Sequence, residues 1–167
     1  MDRNAFWKII DEARQSVGDT DELEEVASAV TDRLKALSPQ EIVSFEQHLS
    51  DLMAESYRWD LWGVAYLVNG GCSDDGFDYF RGWLLANGRE RWEMAMANPE
   101  LAGEWTEPDA AFCEDMLYVA MDAYEAATGK ELPQETLTIR RPDAPLGERW
   151  EEDQLEELYP DLYEKFS

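Results

Sequence analysis

Residues 58–83 read RWDLWGVAYLVNGGCSDDGFDYFRGW, and this stretch decides the fold prediction. Residues 59–68 are almost wholly apolar apart from Asp60, which is typical of a helix that is buried on all sides. The Asn69-Gly70-Gly71 sequence predicts the end of that helix, since glycine accepts the left-handed geometry found there. Capping side chains at 73–75 then predict the start of a second helix, and its aromatic residues face inward.

Amphipathic helices are predicted on the N-terminal side of this stretch. Apolar residues recur at helical spacing over residues 4–17, over a helix beginning near Asp19, and over residues 39–55. The sequence Ser38-Pro39-Gln40-Glu41 is the clearest start signal, because it combines a capping serine, a proline suited to the first turn and a glutamate that reaches back to the cap. Three such helices with short connections indicate an antiparallel array.

The C-terminal half is less regular. A short helix is predicted over residues 89–97, and a second capping-box sequence at 106–109 predicts the longest helix, ending near Thr128. Residues 136–140 are the only strand candidate. We therefore expect a mainly α fold, a single-domain bundle or array of about six to eight helices with an irregular C-terminal segment. Residues 1–133 would form the helical core, and 134–167 an extended loop and acidic-aromatic tail packed on it.

The charge excludes several classes of function. The chain has 38 acidic and 14 basic residues, a net charge of −24. A field of that sign repels nucleic-acid phosphates and anionic membranes, so we expect neither as a direct partner. It fits a solvated acidic surface, and it equally fits an acidic face that meets a basic protein or mimics nucleic acid. Two cysteines and no apolar span predict a cytoplasmic protein with reduced thiols.

The polar residues inside residues 58–83 form the candidate site. Arg81 lies among aromatic residues and is expected to pair with Asp60, Asp74 or Asp78. One interpretation is a buried ion pair and helix caps that fix a sharp turn. The other is a pocket for a small polar ligand. The candidate ligand-binding residues are Asp60, Asn69, Cys72, Ser73, Asp74, Asp75 and Arg81.

Catalytic and metal chemistry find little support in the same stretch. The spacing of Asp74, Asp75 and Asp78 fits no calcium loop, and two cysteines with one histidine make zinc improbable. Cys72 would need His48 as a base, and nothing marks that histidine for the role. We expect no metal and no cofactor, assign no catalytic residue, and lean against an enzyme.

The sequence resembles a known family over most of its length. The resemblance includes Phe6-Trp7, Ser38-Pro39, residues 58–83, and residues 118–133, which read YVAMDAYEAATGKELP. These residues are similar to the bacterial DUF4240 family, a domain of unknown function. In some proteins that domain is joined to a WGR domain and is described after a molybdate-metabolism regulator. The resemblance implies a fold and no established activity.

The leading functional hypothesis is a non-enzymatic acidic helical module, binding or regulatory, that contacts a basic protein. The charge and the absence of catalytic spacing support it. An alternative is a small-ligand-binding or enzymatic domain with a pocket around the segment from Asn69 to Arg81. A second alternative is a nucleic-acid mimic.

Overall fold

The computed structural model describes residues 1–167 and is built almost entirely from helices. The α-helices are α1 (Arg3–Val17), α2 (Leu23–Leu34), α3 (Pro39–Glu55), α4 (Trp59–Val68), α5 (Asp74–Ala86), α6 (Arg89–Ala97), α7 (Val119–Thr128), α8 (Leu155–Leu158) and α9 (Pro160–Phe166). Shorter 3₁₀ helices are Pro99–Trp105, Glu114–Leu117, Gln134–Thr136 and Glu152–Gln154. The predicted mainly α class is confirmed. No helix has both the length and the apolar content that crossing a membrane requires.

The first three helices form where apolar residues recur at helical spacing. At the start of α3 the amide of Glu41 donates to Ser38 Oγ at 3.3 Å, and the amide of Ser38 donates to Glu41 Oε2 at 3.0 Å. The predicted capping box is therefore confirmed. The predicted start of α2 near Asp19 is wrong, because the helix begins only at Leu23. Residues 19–22 form a turn in which Thr20 Oγ1 accepts a hydrogen bond from the amide of Glu22 at 3.0 Å.

One apolar core of 35 buried residues holds the helices together. Helix α2 packs on α1 and α7, and α3 also packs on α7. Aromatic pairs join α1 to its other neighbours. The ring centroids of Phe6 and Phe45 lie 4.5 Å apart, and those of Trp7 and Trp92 lie 5.8 Å apart. These contacts fix α1 against α3 and α6.

Helix α4 is covered on several sides, as its uniform apolar sequence predicts. Residues 99–105 cover one side, and the C-terminal residues cover another. Trp150 Nε1 donates to the carbonyl of Trp59 at 2.6 Å, and the Tyr159 hydroxyl donates to the carbonyl of Asp60 at 3.0 Å. The amide of Trp59 donates to the carbonyl of Leu146 at 2.9 Å, which satisfies a backbone donor that the helix itself leaves free.

The long helix predicted from residue 106 is wrong. Residues 106–113 are irregular, and α7 begins only at Val119. The amide of Asp109 donates to the carbonyl of Val68 at 3.0 Å, and the amide of Cys113 donates to the carbonyl of Tyr79 at 2.9 Å. These bonds to α4 and α5 replace the bonds that a helix would make, so the tertiary contacts override the local start signal.

The strand candidate at residues 136–140 is also wrong, because these residues form no sheet. Instead, the side-chain amide of Gln47 binds this segment to α3. Its Nε2 donates to the carbonyl of Thr138 at 2.9 Å, and its Oε1 accepts from the amide of Thr138 at 2.8 Å. A salt bridge of 2.5 Å between Arg140 and Asp51 adds a second attachment.

The approach of residue 113 to α5 requires a glycine. A Cβ added at Gly82 would lie 2.3 Å from the carbonyl oxygen of Cys113, a backbone atom that cannot turn aside. We expect Gly82→Ala to lower the free energy of unfolding by about 1–3 kcal/mol, the range typical of overpacking. Urea denaturation measures this value.

Gly76→Ala on the same helix is the matched control. A Cβ at Gly76 would make its nearest contacts at 3.4 Å and 3.5 Å, with two side-chain atoms. That variant should be neutral or more stable by up to about 1 kcal/mol, because alanine favours a helix. Equal destabilisation of both variants would contradict the role assigned to Gly82.

Candidate functional site

Arg81 is buried at the centre of the predicted site, with 1% of its surface exposed. Its Nη1 donates to the carbonyl of Met53 at 2.6 Å, and its Nε donates to the carbonyl of Phe77 at 3.2 Å. Its Nη2 forms a salt bridge with Asp78. The guanidinium carbon lies 4.3 Å from the centroid of the Phe77 ring and 5.4 Å from that of Tyr57. Of the three carboxylates considered as partners, the structure selects Asp78.

Asp60 pairs with a neighbour instead of with Arg81. Arg58 Nε and Nη2 donate to its two carboxylate oxygens at 3.0 Å and 2.6 Å. Asp60 Oδ1 also accepts from the amide of Leu61 at 2.7 Å. The pair lies at a cavity of about 390 Å³ that α4 forms with C-terminal residues, among them Trp150 and Tyr159.

Asn69 and Cys72 serve the turn between α4 and α5. Asn69 Nδ2 donates to the carbonyl of Ala111 at 3.0 Å, and its Oδ1 accepts from the amide of Ala111 at 3.3 Å. Trp62 Nε1 donates to the carbonyl of Cys72 at 3.0 Å. Burial raises the pKa of the Cys72 thiol to about 12, so the group is protonated at neutral pH.

The remaining three candidates lie at the start of α5. Ser73 is the N-cap, and its Oγ accepts from the amide of Gly76 at 3.2 Å. Asp74 Oδ1 accepts from the Tyr57 hydroxyl at 3.4 Å and lies 3.7 Å from Arg141 Nη2. The side chain of Asp75 is exposed to solvent.

The seven predicted residues therefore point to separate partners rather than into one shared space. Most of their polar atoms hold the α4–α5 turn, its neighbouring loop and the C-terminal tail. No group of three or more His, Cys, Asp or Glu side chains is arranged to hold a metal ion. Ligand binding by these residues stays a prediction.

Sequence reasoning missed a second site. A cavity of about 420 Å³ lies where the end of α1, the turn before α2, the end of α5 and residues 104–107 meet. Arg14 and Arg91 both line it, and we call it the Arg14–Arg91 cavity. Trp83 and Trp105 supply its larger apolar walls. Four carboxylates also line it: those of Asp19, Asp21, Glu104 and Glu107.

Three contacts hold the arginines beside this cavity. Arg91 Nη1 donates to Asn87 Oδ1 at 2.8 Å, and its guanidinium carbon lies 5.3 Å from the Trp105 centroid. Arg14 Nη1 donates to the carbonyl of Ala86 at 3.4 Å. Burial, and next the charge of Arg91, lower the pKa of Arg14. Distant parts of the chain build the site. The sequence does contain one signal that Arg91 lacks a salt-bridge partner within its own helix. No carboxylate lies three or four residues from it.

Glu46 is a buried acid that sequence reasoning also missed. It is 5% exposed, and its Oε2 has no hydrogen-bond partner. Burial raises its pKa to about 8, so the side chain is a neutral carboxylic acid at pH 7. It lies four residues after Ile42 and three before Leu49, both buried, so its position on the buried stripe of α3 was visible in the sequence.

Substitution of Arg81 tests whether the predicted site is structural. We expect Arg81→Ala to lower the free energy of unfolding by about 3–5 kcal/mol, because it removes three hydrogen bonds and leaves the Asp78 carboxylate unpaired. Asp75→Ala changes an exposed side chain in the first turn of α5, so it should lower the free energy of unfolding by less than about 1 kcal/mol. Chemical denaturation measures both, and a small loss for Arg81→Ala would contradict the structural role.

The raised pKa of Glu46 predicts a pH dependence. An exposed glutamate has a pKa of about 4.3, so the folded protein keeps a proton that the unfolded chain releases. The resulting stability is complete below about pH 4.3 and is lost as the pH rises through about 8. We expect the stability of Glu46→Gln, relative to the unsubstituted protein, to increase by about 4 kcal/mol between pH 4 and pH 8.

Denaturation curves at pH 4, 6 and 8 measure this difference. Glu25→Gln, at an exposed position without a salt bridge, is the control for the loss of one surface carboxylate. A constant difference between Glu46→Gln and the unsubstituted protein across this range would contradict the raised pKa of Glu46.

The comparisons with known proteins give one match. A family model described as "Protein of unknown function (DUF4240)" matches residues 1–126, which confirms the resemblance seen in the aromatic block and the N-terminal helices. No curated protein and no solved structure matches the chain. Since the family match spans more than half of the 167 residues, the chain belongs to the DUF4240 family.

Proposed function

We propose that this DUF4240 domain is a non-enzymatic binding module whose acidic surface contacts a basic protein. The observation that supports it most directly is the meeting of two acidic segments. Residues 19–25 and 104–115 both border one region of the surface, since Asp19 and Asp21 line the same cavity as Glu104 and Glu107. We call these two segments together the acidic face.

The two segments of the acidic face carry a single sign of charge, and the only basic residues at the cavity between them are Arg14 and Arg91. The two segments contain ten acidic residues, all of them exposed, and no lysine or arginine. More widely, no basic residue occurs between Arg91 and Lys130. A surface with one sign of charge attracts an oppositely charged partner and speeds its association.

The environment of the acidic face favours a protein over the two alternatives. Trp83 and Trp105 lie at the cavity between the two segments, and aromatic residues are enriched in protein interfaces. A mimic of the phosphate backbone has no need of them. The closed contacts around Arg81 leave its guanidinium without free space for a small polar ligand, which weakens the pocket alternative.

The resemblance to WGR-linked proteins supports a regulatory setting for such a module. A molybdate-related role is the finer form of this hypothesis, and its only support is the description that some WGR-linked members of the family carry. We also place the domain in the bacterial cytoplasm, where Cys72 and Cys113 would stay reduced.

A pair of variants with equal charge tests the proposal. The face variant combines Glu22→Gln, Glu24→Gln, Glu25→Gln, Glu114→Gln and Asp115→Asn. The tail variant combines Glu148→Gln, Glu156→Gln, Glu157→Gln, Asp161→Asn and Glu164→Gln. Each removes five exposed negative charges, so the two differ only in where the charge is lost.

The unsubstituted domain and both variants would be used to isolate partners from the cells that make the chain, at low and high salt. We expect a basic protein to be retained at low salt, with its Kd weakened about tenfold or more by the face variant and little changed by the tail variant. Equal weakening by both variants would show that binding depends on the net charge of the domain and not on the acidic face. Retention of no protein at either salt concentration would overturn the proposal.

A further inference from the structure

Arg14 and Arg91 differ from every other arginine in the chain. Eight of the ten arginines form a salt bridge with a carboxylate. Arg14 and Arg91 form none, although the chain contains 38 acidic residues. Both line the same cavity. Two unpaired guanidinium groups therefore lie together in a protein whose charge would readily pair them.

Most hydrogen-bond donors of the two guanidiniums are unused. A guanidinium has five N–H donors in a planar fork. Arg14 uses one of them on the carbonyl of Ala86, and Arg91 uses one on Asn87 Oδ1. Burial, and next the positive charge of Arg91, lower the pKa of Arg14, whereas the carboxylates of Asp19, Asp11 and Asp21 act in the opposite direction. The two guanidiniums therefore lie close enough for their positive charges to repel each other. An anion placed between them would remove the repulsion and accept the free donors.

The surroundings hold Arg91 in position without a ligand. Gly88, at the α5–α6 turn, has a φ of +93°, a backbone conformation that L side chains rarely adopt. A Cβ there would lie 2.7 Å from Asp11 Oδ1. That same oxygen accepts from the amide of Arg89 at 3.0 Å. The turn is therefore fixed to α1, and with it the position of Asn87, which binds Arg91.

The acidic residues at the cavity restrict the anion. Asp19, Asp21, Glu104 and Glu107 are exposed and would repel phosphates and other polyanions. A single carboxylate on a molecule that also has a positive group would satisfy both parts of the cavity. A volume of about 420 Å³ accommodates a small molecule or the last residues of a peptide.

We propose that the Arg14–Arg91 cavity binds the carboxylate of a positively charged ligand. The carboxylate lies between the two guanidiniums, and the positive group lies against the surrounding acidic residues. Two sources have this chemistry: a free cationic amino acid and the C-terminal residue of a basic peptide. The peptide source rests on the proposed function, since the basic partner would then present its chain terminus to the acidic face.

Three probes test the proposal by titration calorimetry and tryptophan fluorescence: trilysine with a free carboxylate, trilysine amide, and free L-lysine. Charge alone makes the amide bind more tightly, because it has one more unit of net positive charge. We expect the opposite order, with the free acid about tenfold tighter or more. Free lysine as tight as the tripeptide acid would identify the small molecule as the source, and weaker lysine the chain terminus.

Variants assign the effect to the arginines. Arg14→Gln and Arg91→Gln should each remove the preference for the free acid, whereas Arg149→Gln, an exposed arginine elsewhere, should retain it. Arg91→Lys is a second variant that keeps the charge and should weaken the preference, since lysine lacks the fork. Circular dichroism checks that each variant is folded. An amide that binds as tightly as the acid, or equal loss in Arg149→Gln, would overturn the inference.

The outcomes separate this inference from the proposed function. If the acid and the amide bind equally while the face variant still loses its partner, the proposed function stands and the carboxylate site falls. If the preference for the acid is present but the face and tail variants retain partner equally, the carboxylate site stands alone. The face variant leaves all four acidic residues of the cavity unchanged, which keeps the two tests independent.

Discussion

The guanidinium of Arg81 joins α3 to α5 at one buried point. Its bond to the carbonyl of Met53 satisfies one of the last acceptors of α3, which the helix itself leaves free. Its bonds to Phe77 and Asp78 fix it within α5. A buried charge is costly unless it is paired and hydrogen-bonded, so this arrangement tolerates little displacement of α3 against α5. Because α5 is held in this way, the residues at its C-terminal end that line the Arg14–Arg91 cavity are held in position as well.

Much of the fold follows from local sequence. The capping box of Ser38, the uniform apolar content of α4 and the glycines after it predict elements that the structure contains. The long helix from residue 106 could not be excluded in this way. Its start signal is local, whereas the bonds that defeat it come from Val68 and Tyr79, which are distant in sequence.

The candidate sites show the same difference between features that local sequence predicts and features that depend on contacts between distant residues. A buried role for Arg81 follows from its aromatic neighbours, but the choice of Asp78 among three acids needs the geometry of α5. Glu46 was visible as an acid on a buried stripe. The pairing of Arg14 with Arg91 was not visible, because five separate segments form the cavity and the defining feature is the lack of a salt bridge.

The C-terminal tail has a consequence for the extent of the folded unit. The family match ends at residue 126, yet the first amide of α4 is bonded to Leu146. A Cβ on Gly63 in the same helix would lie 2.9 Å from the ring of Tyr159, which shows how closely the tail covers α4. A fragment that stops at the family boundary would leave α4 an open aromatic surface prone to self-association. In this protein the part that matches the family is shorter than the part that packs together as one unit.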